Sequence, residues 1–333
     1  MQMQQRLLWF RRLALLGAAL ALVVVVMGAW VRLTAAGLGC PDWPGCYGHV
    51  YPQTEPGSAQ AFGKALREML HRYAAGTLGL IITTLLALGV MNRRDRGQPL
   101  APVIALFCVV CLQGALGALT VTLLLTPLIV TGHLLGGLTT LGLLWWLSRT
   151  PERRDSTEAE RGLRVLALVC CAALLLQIAL GGWTSTNYAA VACPDFPTCQ
   201  RRWWPQMDYR DGFTLSHGLG IDYEGGVLAH PARVAIHFTH RLGAALAGTL
   251  LLTLGVLVTL RAKGPRLRRA GVLLIAAVLL QITLGVATVL WGVPLPLATL
   301  HNAGAALLVI AMVTVLRRLW PTPAIAVLPL DRG

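Results

Sequence analysis

Apolar residues gather into eight stretches, near 13–33, 69–91, 100–125, 127–147, 163–184, 235–260, 270–291 and 294–316. A helix crosses the hydrocarbon core of a bilayer in about 20 residues, and each stretch is of that order. None alternates strictly between apolar and polar, so the pattern does not suit a porin-like barrel. Spanning backbone must satisfy its own hydrogen bonds, which leaves helices. The predicted fold is therefore an all-α integral membrane protein with eight transmembrane helices. The first stretch reads as a helix rather than a cleaved signal, because "VRLTAAGLGCPDWPGC" (31–46) has no small-x-small cleavage site.

The chain also resembles itself. "GAWVRLTAAGLGCPDWPGC" (28–46) aligns without a gap on "GGWTSTNYAAVACPDFPTC" (181–199), and "LQGALG" (112–117) on "LQITLG" (280–285). Trp30 and Trp183 are 153 residues apart, His71 and His240 169, and His133 and His301 168. The difference lies in a longer second loop. Four spans return the chain to its starting side, so the halves 1–150 and 151–333 are expected to be four-helix bundles related by a pseudo-twofold axis along the membrane normal.

Composition agrees with a membrane protein: 56% hydrophobic, 13% charged, mean hydropathy +0.65. The net charge of +14 follows topology rather than a nucleic-acid surface. Basic residues cluster at Arg6/Arg11/Arg12, Arg93/Arg94/Arg96, Arg149 to Arg164, Arg261 to Arg269 and Arg317/Arg318, which are alternate connections. The positive-inside rule puts these and both termini in the cytoplasm, with loops 34–64 and 186–230 outside. Trp30, Trp145, Trp146, Trp183, Trp291 and Trp320 stand at span ends and suit interfacial belts. The start "MQMQQRLLWFRR" lacks transit-peptide character, which favours a bacterial inner (cytoplasmic) membrane over a mitochondrial one.

Four of the eight histidines belong to the outside loops or their edges: His49, His217, His230 and His237. The others, His71, His133, His240 and His301, are expected within about two turns of the outer ends of the even-numbered spans. A lone histidine in a span is often a packing residue. Four at repeat-related positions and similar depth point instead to inward-facing groups. Two histidines from facing helices of a four-helix bundle suit an axial pair on haem iron. The expected pairs are His71 with His133 and His240 with His301. Arg72 and Arg241 follow two of them and suit either haem propionates or interfacial snorkelling.

Cys40 and Cys46 bracket "PDWPG", and Cys193 and Cys199 bracket "PDFPT". These outside pairs read as structural staples or as redox-active couples. Their spacing fits no zinc site. Cys108, Cys111, Cys170 and Cys171 lie within spans and read as apolar packing residues. Of 14 acidic residues, only Glu68 falls at a span within reach of the histidines. It precedes His71 by one turn and shares its face. It either complements the helix dipole or serves as a base or charge stabiliser. The second half carries His237 at the related position.

A di-iron bundle needs more glutamates than the chain has. A dihaem b electron carrier explains the histidines but not Glu68. A quinone-linked thiol-disulfide oxidoreductase explains the cysteines but not the histidines. Taken together, "CPDWPGC", "EMLHR", "TGHLLGG", "CPDFPTC", "IHFTHR", "TLHNAG" and the loop "DYRDGFTLSHGLGIDYEGGVLAHPARVAIHFTHR" resemble the haem A synthases over nearly the whole chain. The resemblance implies an iron-dependent oxidoreductase of haem biosynthesis and cytochrome oxidase assembly, converting the C8 methyl of haem O to the formyl group of haem A. It implies a substrate site in the N-terminal half, with ligands His71 and His133 and catalytic Glu68. It implies haem b as cofactor on His240 and His301. Implied partners are haem O, haem O synthase, oxidase assembly factors, an electron acceptor and the lipid bilayer. The resemblance places the family's extracellular cysteine pair on Cys40–Cys46, with Cys193–Cys199 as a second pair.

Overall fold

The computed structural model describes residues 2–53, 59–94, 99–149, 161–218, 220–262 and 264–320. Arg96, the connection 151–160 with Arg153 and Arg154, Lys263 and the expected boundary at 150/151 lie outside the described residues. The elements in order are α1 (Gln2–Leu33), α2 (Ala59–Met91), α3 (Leu100–Thr122), α4 (Pro127–Ser148), α5 (Arg161–Thr186), the short α6 (Tyr209–Gly212), α7 (His230–Arg261), α8 (Pro265–Leu290) and α9 (Leu295–Leu319). All but α6 are long and apolar enough to cross a membrane. Among the described residues the only β pairing is two isolated bridges, Cys46 with His49 and Cys199 with Arg202.

Proline opens α4, α7, α8 and α9. Its missing N–H falls where no helical partner exists, and its fixed φ starts the turn. The tight turns before α4 and α9 match each other. Leu125 N–H reaches Thr120 O at 2.8 Å, and Val293 N–H reaches Thr288 O at 2.7 Å. Leu124, Leu125, Gly292 and Val293 all take positive φ there.

In the N-terminal half, α1 packs on α2 and α4, and α3 on α2 and α4. In the C-terminal half, α5 packs on α7, α7 on α8 and α8 on α9. Between the halves, α4 meets α5 and α9, and α1 meets α9. One core runs through the assembly, with Phe10, Ile82, Leu85, Leu106, Leu141, Leu254, Leu274 and Met312 fully buried. In lipid, close backbone approach does much of the holding. At the α7–α8 crossing, a Cβ on Gly271 would stand 2.8 Å from the Gly255 carbonyl. Across the halves, Trp145 Nε1–H donates to Thr314 Oγ1 at 2.9 Å.

The long connection between α5 and α7 reaches over the N-terminal half. Tyr223 N–H donates to Leu124 O at 3.1 Å, and Lys64 lies 3.7 Å from Glu224. Arg32 of α1 donates to Ser185 O at 2.6 Å and stacks on the Tyr188 ring at 4.1 Å.

Three expectations change. Helix α2 begins ten residues before its apolar run and α7 five before, so His71 and His240 sit deeper along their helices than two turns. The extra residues, "AQAFGKALRE" in α2, are mostly good helix formers. They carry the helix past the apolar stretch to meet a cysteine loop. Trp183 is no belt residue: it is 7% exposed and donates Nε1–H to Gly212 O at 2.8 Å. Cys108 and Cys111 are exposed on α3, and Cys170 alone of the four is buried.

Candidate functional site

Each cysteine pair is bonded, Cys40–Cys46 at 2.05 Å and Cys193–Cys199 at 1.99 Å. Each closes a small ring organised by its aspartate. Asp42 accepts Tyr47 N–H at 2.6 Å and Gly48 N–H at 2.8 Å. Asp195 accepts the Thr198 hydroxyl, Gln200 N–H at 2.6 Å and Arg201 N–H at 2.9 Å. The backbone bond from Gly48 leads in holding the Asp42 carboxyl below its ordinary value, and the Thr198 hydroxyl leads for Asp195. Sequence reading had assigned neither aspartate a role; the repeated "CPD" was the available signal.

The rings sit on the helices that carry His71 and His240. Glu68 is 5% exposed. One of its oxygens accepts Cys40 N–H at 2.9 Å, and the other pairs with Arg72 at 2.5 Å. Arg72 also donates to the carbonyls of Asp42 at 2.9 Å and Gly45 at 2.6 Å. In the other half His237, also buried, sets Nδ1 3.3 Å from Cys193 N–H and Nε2 3.3 Å from Arg241 Nε, and accepts from one of the two. Arg241 donates to the carbonyls of Asp195, Thr198 and Cys193 at 2.8, 2.9 and 2.7 Å. Both arginines thus donate to loop carbonyls and lie against Glu68 or His237, where the sequence had left them between propionate contact and interfacial snorkelling. A carboxylate has acceptor capacity for both donors, whereas a neutral imidazole accepts at one nitrogen. The Glu68 clamp is the stronger.

The four span histidines pack against glycines on neighbouring helices. A Cβ on Gly28 of α1 would stand 3.0 Å from the His71 ring, and one on Gly181 of α5 3.2 Å from His240. Gly117 of α3 faces His133, and Gly285 of α8 faces His301 at 3.0 Å. His71 lies within electrostatic reach of His133, and His240 of His301. The Nδ1 atoms of His71, His133 and His301 are buried without a hydrogen-bond partner. Among the described residues no three His, Cys, Asp or Glu side chains converge as a metal centre. Two imidazoles to an iron, with flat glycine surfaces beside them and unused ring nitrogens, fit the bis-histidine haem chemistry.

The family described as "COX15-CtaA: Cytochrome oxidase assembly protein" matches residues 11–313. The chain belongs to the COX15-CtaA family. A protein named "Heme A synthase" from Shewanella oneidensis is 41% identical over 329 residues, covering 95% of this chain and 97% of its own. A Methylobacterium radiotolerans protein of the same name is 28% identical, with 91% and 87% covered. Another, from Granulibacter bethesdensis, is 27% identical, with 90% and 84% covered. In this COX15-CtaA member the carboxylate beside a histidine pair occurs in one half only.

Proposed function

We propose that the chain is a haem A synthase, oxidising the C8 methyl of haem O through the alcohol to the formyl group of haem A. The observation that carries the reading is the asymmetry of two otherwise matched clamps, Glu68 in one half and His237 in the other. Two related bundles then hold different occupants. His71 and His133 bind substrate haem O in the N-terminal half. His240 and His301 hold haem b in the C-terminal half, where a bound haem supplies one-electron redox chemistry. The orientation with both termini in the cytoplasm and the disulfide rings outside belongs to the same reading.

The chain's own contribution is positional and electrostatic. Glu68 is fixed by Cys40 N–H and Arg72, one turn from His71. Its carboxylate takes up a proton or steadies positive charge on the carbon being oxidised. Arg72 pairs with that carboxylate and ties it to the ring above. The glycines opposite the imidazoles let the backbone approach a flat macrocycle.

The test is the haem composition of the purified protein together with its Glu68→Gln variant. Haem b with haem O or A is expected in the parent, and haem O without haem A in the variant. A protein carrying haem b alone, in cells making haem O, would overturn the reading in favour of a dihaem electron carrier.

A further inference from the structure

The two bundles differ in one seam. The repeat maps α2 on α7 with an offset of 169 residues and α3 on α8 with one of 168. The α7–α8 seam is shut at two levels. Gly255 and Gly271 bring the helices into backbone contact, and Ile282 fills the space beside Gly248, where a Cβ would stand 3.3 Å from its Cδ1. In the α2–α3 seam the related residues are Leu86 and Val103 at the first level and Gly79 and Gly114 at the second. At the first level two branched side chains replace the glycines that allow close approach. At the second no side chain fills the gap: a Cβ on Gly79 or Gly114, or on Gly76 a turn above, would meet nothing within 4 Å. Gly248 is buried, whereas Gly79 is half-buried and Gly114 exposed.

The other seams of the N-terminal bundle are filled. His71 packs against Gly28, Leu144 and Ile81 against Gly17, and the Gln113 amide occupies the place of a Cβ at Gly136, as Gln281 does at Gly304. The open seam leads towards the histidine pair. One turn along α3 from Gly114, Gly117 faces the His133 ring, and the Nδ1 atoms of His133 and His71 are buried without a hydrogen-bond partner. A recess in the other half, from Ile282 to Trp291, is lined by α8 alone and is no passage between helices.

Haem O carries a long isoprenoid tail where haem b has a vinyl group. The tail is nearly all hydrocarbon and is most stable in lipid or against apolar side chains. A bundle that takes haem O must therefore give the tail a way out, and one that holds haem b need not. We propose that the Gly79/Gly114 gap is the subsite for the isoprenoid tail of haem O, and that Ile282 at the related place excludes that tail from the C-terminal bundle. One position of a duplicated unit then sorts the two haems, by an open slot in one copy and a steric plug in the other. This rests on haem O occupying the N-terminal half.

The test titrates full-length protein in detergent with haem O and with haem b, read by the absorbance of the bound haem. A His240→Ala background leaves the N-terminal bundle as the site observed. There Gly114→Ile should weaken haem O at least about 10-fold, the scale of overpacking a filled space, and leave haem b unchanged. Gly114→Ala, a smaller intrusion, should show the same selectivity to a lesser degree. In a His71→Ala background, Ile282→Gly should strengthen haem O relative to haem b at the C-terminal bundle. Parent-like haem O binding in Gly114→Ile, or equal weakening of both haems in the two Gly114 variants, would overturn the proposal. If the His240→Ala protein binds no haem O, the haem assignment itself is what fails.

Discussion

Glu68 on α2 and Cys40 in the first disulfide ring are joined by a 2.9 Å hydrogen bond from the Cys40 amide to the carboxylate. The helix that carries His71 and the ring above it therefore move as one piece. Glu68→Gln keeps an acceptor for that amide and removes the charge opposite Arg72. Conversion of haem O should fall at least about 100-fold, the usual scale for losing an acid–base group. Bound haem should persist. Extracted pigments, separated into haem O and haem A, provide the measurement, and an unchanged haem A yield would remove Glu68 from the chemistry.

His237→Ala should act on stability rather than on chemistry. It leaves the buried Cys193 N–H without its side-chain acceptor, at about 1–3 kcal/mol. A lower Tm with retained haem A formation is the expected result in a thermal scan paired with a pigment assay.

Removing the second ring bond by Cys193→Ser with Cys199→Ser should cost about 2 kcal/mol through the freed chain of a small loop. The Arg241 contacts to Asp195, Thr198 and Cys193 carbonyls remain available. Thiol labelling of the parent with and without reductant should reveal these two cysteines and Cys40 and Cys46 only after reduction.

Acid should loosen both rings. The Asp42 and Asp195 carboxyls are held below the ordinary aspartate value of 3.8 by bonds that exist only in the folded rings. Their contribution is full above that value and is lost as the pH falls through the depressed folded values. Amide exchange at Tyr47, Gly48, Gln200 and Arg201 should stay protected near neutrality and accelerate below about pH 4. Protection that persists unchanged into stronger acid would contradict this.

The eight spans and the four histidines were legible because span length and a costly polar group in an apolar run are both strong one-dimensional signals. The upward extension of α2 was not, since Ala59 to Arg67 hold good helix formers but no apolar run that would mark them as part of a span. Trp183 was misplaced for a related reason. At a span end tryptophan suits an interface, but here the chain folds a short helix over it. The roles of Asp42 and Asp195 depend on bonds to residues five and six further on, within a ring. Gln113 and Gln281 were visible as repeated positions, and only packing against Gly136 and Gly304 gave them a role. That Arg72 meets the carbonyls of Asp42 and Gly45 turned on the fold of "PDWPG", which spacing alone does not fix.

The reach of Tyr223 to Leu124 and of Glu224 to Lys64 has a consequence for biogenesis. Synthesis of α1 to α4 ends at Ser148, well before the segment with Tyr223 and Glu224 that reaches back over them is made. During that interval the earlier bundle sits in the membrane with an uncovered mouth. The contacts of Tyr223 and Glu224 form only after α5 has been made, so the first four spans are complete before the loop that ties down their outer turns exists.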